Sequence, residues 1–272
     1  MSGDGGDEFF AGYNWYDELQ KLQRFDQRVP AILRKGISSF GAGVSGTMRG
    51  ATLLRNLAVG WPGRHINLLS GFTDGQIGRL LRNDCLSSNL WESHPLVCLY
   101  SAKALGQDPV LAGQYVDFNS YMVDDILMKV DKMSMAHSLE VRVPLLDHKF
   151  VELAFSLPTA MKIKGRERKI VLKECVTDLI PKQFFDRKKQ GFSIPQKKWL
   201  QNELSDYVQD YLLSSSSQCR NFFDMTEVEI LWGKMNKGKM RIDLSPQIWA
   251  LLSFELWART FLNPSKGQQP IS

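Results

Sequence analysis

The stretch SGDGGDE, Ser2 to Glu8, decides how the chain begins to fold. Three glycines in seven residues let the backbone turn sharply and expose successive N–H groups to an anion at a helix start. The same stretch carries three carboxylates, which repel a phosphate unless a divalent cation lies between them. The residues therefore predict a site for Mg²⁺ and phosphate together, with Asp4 or Asp7 as the metal ligand.

A plainer interpretation of the same stretch is a Gly/Asp turn that caps a helix. An EF-hand is excluded, because Phe9 and Trp15 fall where that loop, counted from Asp4, needs glycine and glutamate. Neither a Walker A lysine motif nor a G-x-G-x-x-G in a βαβ unit occurs in the sequence. The commoner nucleotide-binding folds are therefore excluded.

Beyond this stretch, apolar residues recur at helical spacing and strand-like alternation is scarce, which predicts a mainly α chain. We expect a first helix from near Asp7 through Tyr13 toward Phe25, ending before Pro30. Further helices are predicted over 109–139 (one or two), 148–157, 167–179, 196–213, 224–236 and 245–262. The Gly- and Ser-rich residues 36–63 predict a loop-rich connection, and 263–272 a flexible tail after a domain over 1–262.

The formal charge of +5 over 272 residues is unevenly distributed. Residues 1–26 carry six acids against two bases, whereas residues 162–198 carry twelve bases against four acids. Such a basic block suits a nucleic acid, an anionic membrane or a polyphosphate, and composition does not choose among them. Few aromatic residues interleave with these bases, so we expect no nucleic-acid binding.

The cysteines and the hydropathy indicate the compartment. Four cysteines without a C-x-x-C pair predict neither a zinc site nor a disulfide framework. No apolar run approaches the length of a membrane span. We therefore expect a soluble, cytoplasmic protein that does not bind membranes.

Ser2 to Tyr13 (SGDGGDEFFAGY) closely resembles the second signature of the asparagine synthetase C-terminal domain, of the ATP-pyrophosphatase class. Three later segments resemble the family's motifs in order: DKMSMAHSLEVRVPLLDHKF (131–150), RKKQGFSIPQKKWL (187–200) and LWARTFL (256–262). The resemblance implies the helical C-terminal portion of an α/β, adenine nucleotide α-hydrolase-like synthetase domain, with most of the parallel sheet missing. The family's N-terminal glutaminase and its SGGxDSS loop are not found here, so the resemblance implies a fragment that is inactive alone.

The resemblance implies a ligase that uses ATP and Mg²⁺ to adenylate the side-chain carboxylate of aspartate. Ammonia from glutamine then displaces AMP to give asparagine. Asp4 stands where many asparagine-forming members have Glu, which leaves open another carboxylate acceptor, as in surface polysaccharide biosynthesis. A catalytically silent helical module is the alternative of a different class, and a homodimer is one assembly that the sequence allows.

The resemblance also implies roles for individual residues. Asp7 would bind Mg²⁺ and pyrophosphate, Asp4 would act near the acyl centre, and Lys189 would contact pyrophosphate. Tyr13 would take part in catalysis, as Asp4 and Lys189 would. The residues implied to bind the nucleotide are Ser2, Gly3, Gly5, Arg142 and Lys169, with Asp147 beside Arg142. Structural roles remain open for them: turn caps for the aspartates, a packed aromatic for Tyr13, an Arg142–Asp147 brace and a solvated lysine at 169.

Overall fold

A computed structural model describes residues 1–30, 33, 56–57, 59–61, 63–72, 74–85, 95–185, 194–236 and 243–262. The chain forms two compact units. The first comprises Met1–Leu69 and Trp91–Lys188, and the second comprises Ser70–Leu90 and Lys189–Ser272. The chain passes between the two units after Leu69, after Leu90 and after Lys188. Most of 36–63 and all of 263–272 lie outside the described residues.

The described part of the first unit is built from short helices and one small hairpin. Its α-helices are α1 Gly6–Phe9, α2 Asn14–Arg28, α3 Gly63–Leu69, α5 Pro95–Lys103, α6 Pro109–Asn119, α7 Met128–Met135, α8 His148–Ser156, α9 Thr159–Lys162 and α10 Ile170–Glu174. A π-helical stretch, Met122–Leu127, precedes α7, and 3₁₀ turns occupy Pro144–Leu146 and Lys182–Phe184. Strands β1 (Ile163–Lys164) and β2 (Glu167–Arg168) pair antiparallel.

The second unit is helical throughout its described part. It contains α4 Asp74–Leu80, α11 Gln196–Gln201, α12 Ser205–Tyr207, α13 Met225–Asn236 and α14 Ser245–Phe261. A π-helical stretch covers Val208–Leu212, and 3₁₀ turns cover Asn83–Cys85 and Gln218–Asn221. Its core includes Leu200, Val208, Leu212, Val228 and Ile248, all fully buried. A mainly α chain is therefore confirmed.

The predicted single first helix is wrong, because the chain breaks between α1 and α2. Ala11 takes a left-handed conformation with φ of 52°, which ends α1. The Gly12 N–H then donates to the carbonyl of Asp7 at 2.7 Å. A Cβ on Gly12 would lie 1.9 Å from Asp7 Oδ1, so any larger residue there would displace the Asp7 side chain. As predicted, α2 ends before Pro30, with Val29 extended.

Other boundaries are partly as predicted. Helices α8, α13 and α14 confirm the ranges 148–157, 224–236 and 245–262 within two residues. The single helix over 167–179 is wrong, since β2 and a left-handed Lys169 precede the short α10. The ranges 109–139 and 196–213 divide into α-helical and π-helical pieces. Within the described ranges, no helix is both long enough and apolar enough to cross a membrane.

Two apolar clusters hold the opening segment in the first unit. Phe9 and Phe10 are buried against Ala154 of α8, and the Phe9 ring lies 5.4 Å from that of Phe118. Ala11, Tyr16 and Leu19 pack with Val110 of α6 and Ile163 of β1. The loop that precedes α1 is therefore carried on a packed base formed by α2, α6, α8 and the hairpin.

Candidate functional site

The opening loop turns through glycine at the position where the chain enters α1. Gly5 has φ of 90°, and a Cβ there would lie 2.9 Å from the Phe9 ring. The Gly6 N–H donates to the Gly3 carbonyl at 3.3 Å, and the Phe9 N–H donates to that of Gly5 at 2.9 Å. The sharp turn expected of the glycines is therefore present, at Gly5.

The loop's first carboxylate, that of Asp4, is hydrogen-bonded to Ser2. The Ser2 hydroxyl donates to the Asp4 carboxylate, and the Asp4 N–H donates to Ser2 Oγ at 3.4 Å. The Ser2 N–H donates to the Arg142 carbonyl at 2.8 Å. Ser2, Asp4 and the backbone of Arg142 are thus brought together.

The structure also brings Asp7 and Lys169 together. Lys169 Nζ lies 3.1 Å from Asp7 Oδ1, and each side chain is slightly more than a quarter exposed. Lys169 has φ of 55°, and its N–H donates to the Phe10 carbonyl at 3.1 Å. The backbone between β2 and α10 therefore holds the lysine against the loop, and a partly exposed carboxylate with a lysine beside it forms the charged centre of the site.

Tyr13 lies at the N-terminal cap of α2, so its expected place within a continuous first helix is wrong. Its hydroxyl donates to Glu8 Oε1 at 2.6 Å, and its ring stacks on Trp15 with centroids 4.0 Å apart. Burial raises the pKa of the Glu8 carboxyl, opposed by this hydrogen bond. Burial and the neighbouring Glu8 raise the pKa of Tyr13 far above its usual value.

A buried aspartate beneath the loop was not anticipated from the sequence. Asp117 of α6 is fully buried and accepts hydrogen bonds from Trp15 Nε1 at 3.0 Å, Tyr16 Oη at 2.5 Å and His65 Nε2 at 2.7 Å. The available signal was an acidic residue amid apolar ones in QYVDF of α6. Asp117 ties the start of α2 to α6 and α3, and so supports the loop from below.

Gln114 and Lys162 are two further buried polar residues that sequence reasoning missed. Gln114 Nε2 donates to the Glu8 carbonyl at 2.5 Å, and Lys162 Nζ donates to Gln114 Oε1 at 3.1 Å. Neither side chain is exposed. The spacing of residues in the sequence gave no signal for these contacts, because Glu8, Gln114 and Lys162 are far apart along the chain.

The turn EVRVPLLD, residues 140–147, contacts the loop through the backbone of Arg142. The Arg142 side chain is largely exposed and pairs with Glu140, with Nη2 and Oε1 2.6 Å apart. Asp147 caps α8 by accepting from the Lys149 N–H at 3.0 Å. The nucleotide-binding role of Arg142 stays a prediction, as do the roles of Ser2, Gly3 and Gly5.

Lys189, with its neighbours Arg187 and Lys188, lies outside the described residues. Its contact with pyrophosphate therefore stays a prediction. Lys169, by contrast, lies within the described site. Asp7 and Lys169 form the described part of the charged centre.

The residues at this centre suit Mg²⁺ by their chemistry. Asp7 offers carboxylate oxygen, the ligand that Mg²⁺ prefers, and is open enough to be reached. Magnesium is commonly held by one or two carboxylates together with substrate phosphates and waters. Among the residues that the structure describes, no group of three or more His, Cys, Asp or Glu side chains is placed to hold a metal. A magnesium ion here would thus take most of its ligands from phosphate and water.

Comparison with known proteins places the chain in a family. A family profile described as asparagine synthase matches residues 1–259. Asparagine synthetase (glutamine-hydrolysing) 1 of Bacillus subtilis is 32% identical over 257 residues, which are 94% of this chain and 39% of that protein. The asparagine synthetase (glutamine-hydrolysing) of Mus musculus is 36% identical over 108 residues, 36% of this chain and 19% of that protein.

No solved structure gives a significant match. The chain spans 39% of the length of the Bacillus subtilis relative. The profile match nevertheless begins at residue 1, takes in the opening loop, and continues to residue 259 near the end of α14. By this match and the alignment over 94% of its length, the chain belongs to the asparagine synthase family.

Proposed function

We propose that this chain supplies the helical part of the synthetase site of a glutamine-hydrolysing asparagine synthase. The reaction joins the side-chain carboxylate of aspartate to the α-phosphate of ATP and releases pyrophosphate. Ammonia then attacks the acyl-adenylate, forming the amide and releasing AMP. The observation that carries the proposal is the pairing of Asp7 with Lys169 beside a tight glycine turn, in a chain of this family.

Each charged residue has a task that follows from this chemistry. Pyrophosphate leaves with concentrated negative charge, which Mg²⁺ would offset when bound. Asp7 would hold that ion, and Lys169, released from Asp7, would face the phosphate oxygens. Lys189 is proposed as a second base toward pyrophosphate. Preorganised cations of this kind contribute several kcal/mol to lowering the barrier.

We propose that Asp4 acts near the acyl centre. Its carboxylate is held by Ser2, so it would be poised to orient the attacking amine or to accept its proton. Aspartate is shorter by one methylene than the glutamate of many family members. That difference makes a different carboxylate acceptor the second candidate, within the same adenylation chemistry. The ATP-pyrophosphatase fold of the whole domain is likewise proposed from the family resemblance.

We also propose that the face of α7 is covered by other parts of the synthetase and by the glutaminase. No residue of α7 is buried, and its Met133 and Met135 side chains are more than half exposed, as is Leu139, four residues beyond the helix. An eight-residue helix without tertiary packing is marginal in water. Apolar side chains grouped in this way usually mark a surface that another polypeptide covers.

A chimera tests the proposed reaction. This chain would replace the 257 matched residues of the Bacillus subtilis relative, which contributes the rest of the protein. With ATP, Mg²⁺ and glutamine, we expect aspartate-dependent formation of AMP, pyrophosphate and asparagine in equal amounts. Product formation with another carboxylic acid instead of aspartate would favour the second candidate. A folded chimera that hydrolyses glutamine but adenylates no acceptor would contradict the proposal.

A further inference from the structure

Helix α1 depends on contacts from outside itself, because its four residues form a single turn. A helix this short is not stable by its own hydrogen bonds. Yet it carries Asp7, whose carboxylate must be presented in one direction if it is to bind a metal. The contacts that fix the backbone of α1 therefore determine where the Asp7 carboxylate lies.

One of these contacts reaches α1 from the interior of the first unit. The carbonyl of Glu8, the residue after Asp7, accepts from Gln114 Nε2 at 2.5 Å. Gln114 belongs to α6 and is completely buried. A side-chain amide has a donor end and an acceptor end, and only the donor end can bind a carbonyl. The orientation of this amide therefore decides whether α1 is held or repelled.

Lys162 sets that orientation. Its ammonium group offers three donors and no acceptor, and it lies 3.1 Å from Gln114 Oε1. The amide oxygen must face the ammonium, which turns the NH₂ group toward Glu8. With a neutral apolar residue at 162, the amide would be free to flip, and its oxygen would then oppose the carbonyl.

The burial of Lys162 is costly, which argues that its charge serves a purpose. The side chain is 0% exposed, and its Nζ lies 5.6 Å from the Phe155 ring centroid. Within the described ranges, no carboxylate forms an ion pair with it. Burial lowers its pKa to about 8. A buried charge without a paired counter-charge opposes folding, and an apolar residue of similar volume would avoid that cost.

We propose that Lys162 and Gln114 are positioning residues for the opening loop. Lys162 orients the Gln114 amide, Gln114 holds the Glu8 carbonyl, and this anchor fixes the backbone on which Asp7 is carried. The inference rests on the proposed function only where Asp7 is taken as the metal ligand. The anchor itself is a property of the ligand-free chain.

Hydrogen exchange in the ligand-free chain tests the anchor. The variants are Lys162→Met and Gln114→Glu, with Lys173→Met on α10 as the matched lysine control. The amides to follow are those of Phe9 and Gly12, which donate to the carbonyls of Gly5 and Asp7. We expect both amides to exchange about tenfold faster in both variants, because each variant loses the stabilisation of one hydrogen bond, the one to the Glu8 carbonyl. Amides within α6 and α8 should keep their protection, and Lys173→Met should change neither set.

Gln114→Glu separates positioning from stability. A glutamate at 114 pairs with Lys162 and should leave the melting temperature unchanged or higher, yet it has no donor for the Glu8 carbonyl. Faster exchange at Phe9 and Gly12 without a lower melting temperature would therefore support the inference. Unchanged exchange at these amides in either variant, or an equal loss of protection in α6, would overturn it.

A second experiment titrates the chain with Mg²⁺ and pyrophosphate. Binding is measured from the NMR chemical shifts of the backbone amides of Gly5, Gly6 and Gly12. If the unsubstituted chain binds the probe, both variants should bind about tenfold more weakly, as for one lost hydrogen bond. Equal affinity would overturn the link from the anchor to Asp7. If the unsubstituted chain does not bind, the same probe is titrated into the chimera, where an absence of binding would contradict the proposed role of Asp7. The hydrogen-exchange experiment still decides the inference about the anchor.

Discussion

At the scale of single residues, the site depends on one glycine that the motif analysis did not single out. Gly12 closes the turn after α1, where a Cβ would lie 1.9 Å from Asp7 Oδ1 and 2.5 Å from Lys169 Cε. Gly3, nine residues earlier, has no atom within 4 Å of such a Cβ. The two glycines therefore differ in what an added methyl group would displace.

We predict that Gly12→Ala destabilises the chain by about 2 kcal/mol and separates Asp7 from Lys169, because neither can stay in place beside the new methyl group. Gly3→Ala should change the free energy of unfolding by less than about 0.5 kcal/mol. Urea denaturation of the two variants measures the difference. Equal stability of both would show that the close approach at Gly12 does not exist in solution.

A second residue-scale prediction concerns the buried Glu8. Because burial raises the pKa of its carboxyl in the folded state, folding is favoured below the unfolded pKa of 4.5, and that advantage is lost as pH rises through the folded value. Glu8→Gln keeps an oxygen acceptor for Tyr13 and carries no charge. It should therefore melt at a higher temperature than the unsubstituted chain at pH 7, with the difference shrinking as pH falls toward 4.5. A lower melting temperature at pH 7 would contradict this account.

At the scale of elements, the sequence predicts helices best where proline bounds them. Pro30, Pro158 and Pro246 fix the end of α2, the end of α8 and the start of α14, through local sterics alone. The break after α1 was missed because a non-glycine residue, Ala11, takes positive φ, which local propensity disfavours. The helix over 167–179 failed for a related reason, since tertiary contacts with the opening loop hold Lys169 in a left-handed conformation.

The candidate site likewise contains residues that the sequence analysis named and residues that it missed. The opening motif pointed to Asp7, and the family resemblance implied a role for Lys169. The structure pairs these two side chains. Gln114, Asp117 and Lys162 support the loop from helices distant in sequence, and no local pattern reports such contacts. Sequence reasoning therefore named the two exposed charged residues, whose roles stay predictions, and none of the buried residues that support the loop.

The exposed apolar side chains of α7 and of the segment that follows it give an element-scale prediction. In the isolated chain, Met133→Ser and Leu139→Ser should change the free energy of unfolding by less than about 0.5 kcal/mol, since both side chains already contact water. In the chimera, each should cost about 1 to 3 kcal/mol, because the same side chains would be covered. Leu105→Ser, at an exposed position outside this face, serves as control. No difference between isolated chain and chimera would show that α7 remains uncovered.

At the scale of the whole molecule, charge is segregated along the chain. The loop region 1–26 is acidic and the region 162–198 is basic. The predicted pyrophosphate base, Lys189, stands where the chain passes from the first compact unit to the second.

In the chimera, we predict that Lys189→Ala slows pyrophosphate release by about 10²-fold or more, the size expected when one preorganised charge is removed from a transition state. Glutamine hydrolysis should be unchanged, because it needs no contact with the triphosphate. Lys198→Ala, at an exposed position on α11, should leave both rates intact. Pyrophosphate release that is unaffected by Lys189→Ala would remove this lysine from the mechanism.

The most direct measurement of the central claim is a crystal structure of the chimera with Mg²⁺ and pyrophosphate. We expect the Asp7 carboxylate to ligate the metal, Lys169 to have moved from Asp7 to a phosphate oxygen, and Lys189 to contact the same pyrophosphate. A structure in which Asp7 still pairs with Lys169, while metal and pyrophosphate bind elsewhere, would contradict the account.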